Sequence, residues 1–315
     1  MARNIRQIHD KLMKSILSDE QARLDFFNAF LPEALKKVLD LSKIEHISGS
    51  FLTAKLTETH ADMVFRCPLL PEAGSGEVLL CIIVTEHKSH PDDYSIIQLG
   101  GYCFDVYRTQ LHKGHDPLQI VLPFLYYHGK EKWSPPTMIN LFPESPAALK
   151  KFIPSFDFIF RNIQQYTDDQ IRQLGMGLFA SAILAQKYGR DPEELRKRFD
   201  QIYGIIDSWE GRNLFESLTV YILDILEIDI QELHIITEKI PMKMKTKILS
   251  LGDRLREEGI QIGVKKGRRE EREKNHFTAT KNMLEKDFPV STICDILDVT
   301  PEFVQKVKEA LRKEE

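Results

Sequence analysis

The sequence has few cysteines, no basic excess and no long apolar run. Its four cysteines, at positions 67, 81, 103 and 294 of 315 residues, form no C-x-x-C pair, which speaks against a structural zinc site. Their spread is the reduced, intracellular kind of usage rather than a secreted disulfide frame. Lys and Arg total 43 against 47 Asp and Glu, a net charge of −4, so the whole surface lacks the basic footprint of a protein that coats nucleic acid. A local basic groove is still open. No stretch approaches the roughly 20 apolar residues of a membrane helix. The start, MARNIRQIHDKLMKSIL, is amphipathic and has no continuous apolar core, so no signal peptide is expected.

What is present is an ordinary folded composition, 42% hydrophobic and 29% charged. The length suggests two domains, or one with an appendage, at about 100–200 residues each. Residues 6–38 carry Ile8, Leu12, Ile16, Leu24, Phe27 and Leu31 at helical spacing, with Asp19 as an N-cap between two helices and Pro32 near a break. His9 and Asp10 are candidate caps of the first helix. Short β-like runs follow at 46–52, 61–67 and 78–84, the last two joined by a Pro- and Gly-rich loop over 68–76. A helix over 92–112 and an apolar strand over 119–127 complete an α-β-β-β-α-β order. Such an order implies a mixed sheet with helices packed on it.

Residues 145–235 read as mostly helical, with Asp191-Pro192 as an N-cap and first-turn proline. After 240 the composition changes: Gly259, Gly263 and Gly267 recur every fourth residue in a charged stretch. That stripe suits close helix pairing, hence a homo-oligomer, or equally a solvated connector. Its basic cluster, Lys265 to Lys274, is either a phosphate contact or a charged helix face. Residues 278–313 suggest three short helices, with Thr300-Pro301 as a start signal and a helix-turn-helix-like run. The expected division is 1–145 as the core, 146–240 as a helical subdomain packed on it, and 241–315 as the Gly-spaced helix with a small helical end.

Chemistry concentrates at Asp62, Glu86 and Lys88. Glu86 and Lys88 are two apart at the end of a β-run and so project to one side. A hairpin brings Asp62 alongside. Two carboxylates can hold Mg²⁺, or another divalent cation, through oxygen ligands. Such an ion polarises a phosphoryl oxygen and activates a water, while Lys88 orients the water and offsets developing charge. The same D…E-x-K spacing also arises by chance in a charge-rich chain, where it amounts to a surface ion pair of about 0–1 kcal/mol.

HDKLMKSIL (9–17), ARLDFFNAFLP (22–32), SGSFLTAKLTETHADMVF (48–65), EHKSHP (86–91) and VLPFLYYHG (121–129) together resemble the Rpn family of recombination-promoting nucleases and transposases. The resemblance implies a PD-(D/E)XK-type α/β core with a helical C-terminal extension. It implies an Mg-dependent DNA endonuclease, linked to DNA recombination or mobile elements, in a bacterial cytoplasm. Asp62 would be the strand aspartate and metal ligand, Glu86 the second ligand and Lys88 the superfamily lysine. Many relatives have EHQS where this chain has EHKS, so Lys88 departs from them toward the standard nuclease pattern. Ala61 stands where serine is common. Gln98 and Tyr102 match a Gln-x-x-x-Tyr pair placed near the scissile phosphate, or form a partly buried helix face. His128 would touch phosphate or cap its strand, and Asp10 is an outlying candidate for the metal. The rival expectations are a non-catalytic DNA-binding or assembly protein that works through its C-terminal helices and, behind it, a strand-transferring transposase.

Overall fold

In a computed structural model of the chain, the described residues are 5–47, 63–74, 76–85, 92–131, 133–206 and 212–311. Helices of eight residues or more are labelled α1 (Ile5–Ser18), α2 (Glu20–Phe30), α3 (Ser95–His112), α4 (Gly177–Tyr188), α5 (Arg212–Leu226), α6 (Met242–Leu284), α7 (Val290–Leu297) and α8 (Pro301–Leu311). The strands are β1 (Glu45–His46), β2 (Met63–Pro68), β3 (Glu77–Thr85), β4 (Ile120–Tyr127) and β5 (Ile159–Asn162).

The strands form one sheet in the order β1-β2-β3-β4-β5. β1, β2 and β3 are antiparallel neighbours, and β3, β4 and β5 are parallel. The β2–β3 hairpin closes where expected. Leu69 N–H donates to Gly76 O, and Gly74 and Gly76 take φ of 123° and 145°, values open to glycine. Because β3 and β4 are parallel, the chain must cross over between them, and α3 is that crossover. β4 (IVLPFLYY) is apolar on both sides because helices cover both faces of the sheet.

On one face Phe26 and Phe27 of α2 meet Phe124 and Phe65, with ring centroids 5.5 and 5.3 Å apart, and all four rings are buried. On the other, Val64, Leu79 and Val121 pack against Cys103 and Val106 of α3, while Leu125 and Tyr127 pack against Leu99. Burial holds the thiols of Cys67 and Cys103 in their protonated form, with pKa values raised to about 12 and about 11. Three cap expectations hold. Asp19 accepts from Ala22 N–H at 2.9 Å, Asp191 from Glu194 N–H at 3.2 Å, and Thr300 Oγ1 from Phe303 N–H at 3.3 Å.

One feature departs from the sequence reading. The region expected to be mostly helical contains β5, which extends the sheet beyond β4 through Phe124↔Ile159 to Tyr127↔Asn162. The Gly-spaced segment is continuous helix within the 43-residue α6. Residues 256–275 are all exposed, and their i,i+4 ion pairs include Lys266–Glu270 and Arg269–Glu273.

The chain divides into two compact units, Met1–Thr246 and Lys247–Glu315. In the second, α7 and α8 pack together and bury Ile293, Val304 and Val307. Among the described residues no helix is long and apolar enough to cross a membrane.

Candidate active site

The register gathers several strand ends at one edge of the sheet. Met63, where β2 begins, pairs with Ile82 near the end of β3. Thr85, the last residue of β3, pairs with Tyr127, the last of β4, and Tyr127 pairs with Asn162, the last of β5. Ligands of sheets with parallel strands bind outside the carboxyl ends of those strands. Asp62, Glu86 and Lys88 lie outside the described residues. In the sequence Asp62 directly precedes Met63, and Glu86 directly follows Thr85.

Gln98 is described. It is exposed in the first turn of α3. Tyr102, one turn on, is half-buried and packs onto the clusters built around Val64 and Leu99, which makes it a core contributor. The sequence pattern left its role open between the two readings. Among the described residues no three His, Cys, Asp or Glu side chains gather as a metal site.

Beyond the end of β4 the structure builds a polar cluster that sequence reasoning missed. His128 follows Tyr127 and is fully buried, so it offers no surface to a DNA phosphate. Its ring lies 4.9 Å from that of His9. His9 is not a helix cap, because α1 already starts at Ile5 and His9 lies inside it. His9 Nδ1 is 2.9 Å from the Tyr221 hydroxyl of α5. Burial, and then the nearby His128 and Arg190, push the His9 pKa down to about 2, so the ring is neutral at physiological pH. Tyr126 donates to Gln186 Oε1 at 2.9 Å, and Gln186 Nε2 reaches Met13 Sδ at 3.8 Å. A Cβ on Gly189 would collide with the Tyr221 hydroxyl and approach the His9 ring. The sequence signals were faint: a histidine within the apolar stripe of α1 and another at the end of an apolar strand. Asp10, beside His9 in α1, is half-buried.

The family described as "Putative transposase, YhgA-like" matches residues 7–213. This chain belongs to that family. Its Rpn relatives include the "Inactive recombination-promoting nuclease-like protein RpnE" of Escherichia coli K12, 25% identical over 90% of this chain and 93% of the relative. The "Recombination-promoting nuclease RpnA" of the same strain is 26% identical over 80% and 85%. The "Recombination-promoting nuclease RpnD" of Escherichia coli O157:H7 is 31% identical over 52% and 62%. No solved structure matches this Rpn-family chain.

Proposed function

We propose that this Rpn-family protein is a metal-dependent DNA endonuclease with a PD-(D/E)XK-type core, acting in DNA recombination or mobile-element transfer. The observation that carries the reading is the register: the chain enters β2 and leaves β3 at the edge where the parallel strands end. Asp62 and Glu86 immediately flank those two strand ends in sequence. The names of RpnA and RpnD support nuclease chemistry.

Two carboxylates offer the hard oxygen donors that Mg²⁺ takes, with waters filling the remaining positions. When bound, the ion activates a water and polarises a phosphoryl oxygen. Asp62 and Glu86 would hold it. Lys88 orients the attacking water and offsets charge that develops on the phosphorus centre. Gln98, exposed on α3, offers its amide to the substrate phosphate. In this reading it works in the bacterial cytoplasm, beside the DNA that it cuts. The exposed Gly259, Gly263 and Gly267 face of α6 supplies a surface for self-association.

Nicking of supercoiled plasmid tests the reading. Purified protein nicks with Mg²⁺ and not with EDTA, and Asp62→Ala, Glu86→Ala and Lys88→Ala each lose at least about a hundredfold. Gln98→Ala loses less. Cleavage that survives Asp62→Ala overturns the assignment.

The name of RpnE, which aligns over 90% of this chain and 93% of its own, favours a second reading: a DNA-binding or assembly protein without catalysis. In that case plasmid stays intact, Asp62→Ala leaves duplex binding unchanged, and reversing Lys265 and Lys266 abolishes it.

A further inference from the structure

α3 presents an apolar seam to solvent. Tyr94, Ile97, Gly101, Phe104, Arg108 and Leu111 follow one another at spacings of three and four, the 3.5-residue repeat of paired helices. Tyr94 is 66% exposed, Ile97 48%, Phe104 59% and Leu111 62%. The opposite face of the same helix is buried on the sheet through Leu99, Cys103 and Val106. Four large apolar side chains exposed along one row, with Gly101 and the Asp105-paired Arg108 between them, mark an interaction site on a folded surface.

We infer that this seam is a dimer interface, with α3 of a second copy of this chain packed antiparallel upon it. Three observations select a second copy. A two-fold axis passing between Tyr102 and Cys103 places Phe104 of each copy against Gly101 of the other. Gly101 is an open hole, since a Cβ built there meets nothing within 4 Å. The same axis sets Tyr94 against Leu111, and Ile97 against the aliphatic stem of Arg108. Finally, the ends are charge-complementary. Asp92 precedes the helix and Lys113 follows it, so the axis brings Asp92 to Lys113 of the other copy. Each contact is made twice, as an isologous interface requires. The helix has 18 residues, about 27 Å of seam at 1.5 Å per residue. Gln98 sits on one flank of the seam rather than at its centre.

This inference is independent of the nuclease reading and of α6. Phe104 is exposed in the single chain, so Phe104→Asp leaves the far-ultraviolet spectrum unchanged. In sedimentation of the full chain it halves the mass of the particle. Gly101→Met, which fills the hole, does the same. Lys113→Glu weakens association at low salt, and adding Asp92→Lys restores it, because that pairing is electrostatic. A photo-cross-linking amino acid at position 104, in a mixture of isotopically heavy and light chains, joins heavy to light at the peptide that contains Gly101. A native chain that stays monomeric up to about 100 µM, a weak affinity of about 5.5 kcal/mol, overturns the inference. So does an unchanged mass for Phe104→Asp. Capture of a peptide from 247–315 overturns it too, and identifies the C-terminal unit as the occupant.

Discussion

The helices around the sheet are held by what they bury, whereas the exposed stretch of α6 is held by pairing along itself. α1 and α2 bury Leu12, Ile16, Phe26, Phe27 and Phe30. Over residues 256–275 every side chain is exposed, and lysines and arginines lie four residues before glutamates. That order is the less favourable one for a helix, and each such pair contributes about 0.2–0.5 kcal/mol. Burial of one aromatic ring contributes several times more. The two regions therefore respond to the same chemical change with different size and even different sign.

The largest expected effect is Phe26→Ala. This ring touches Phe27, Phe30, Phe124 and Tyr126, so its loss costs about 3–5 kcal/mol in urea denaturation. A loss below about 1 kcal/mol would mean that α2 is not held by this cluster.

Acid comes next. His9 titrates near the ordinary histidine value of about 6.5 when unfolded and at about 2 when folded, so below pH 6.5 the unfolded chain binds the extra proton. The contribution of His9 is intact above that pH and falls by about 1.4 kcal/mol per unit as pH drops toward the folded value. A His9→Gln variant should show a shallower decline between about pH 6 and pH 4 than the native chain. Equal slopes would show that His9 is solvated.

The sharpest comparison uses one substitution at two places. Gly189→Ala forces a methyl into Tyr221 and His9 and costs about 1–3 kcal/mol. Gly263→Ala, with nothing within 4 Å of its Cβ, raises the helicity and stability of α6 by about 1 kcal/mol. Thermal melts of both variants check the pair, and a stabilising Gly189→Ala would break the contrast. The smallest effect is Arg269→Ala, whose partner Glu273 is exposed: a slight loss of helicity that shrinks further in high salt.

The order α-β-β-β-α-β was legible because each element carries its own period: helical in α1 and α3, continuous apolar in β4. The caps at Asp19, Asp191 and Thr300 were legible because they act within three residues. β5 was not. Ile159–Asn162 contains two apolar residues in four and has no periodicity, and its strand state is conferred by pairing with β4. The helicity of α6 through three glycines was likewise open on composition. Of the candidate site, Asp62, Glu86 and Lys88 were picked out by residue type and lie beyond the described strand ends. The His9–His128–Tyr221 cluster was hidden because its members come from three elements far apart in sequence. No local pattern announces such a meeting.

The buried thiols have a practical consequence. An alkylating reagent attacks the thiolate, and Cys67 and Cys103 hold almost none at neutral pH. Cys294 of α7 is partly exposed. Among the cysteines whose side chains are described, a maleimide dye therefore marks the C-terminal unit and leaves the sheet dark until it unfolds. The same label can follow the small helical unit in the native protein and report, by a burst of new reactivity, the moment the sheet opens.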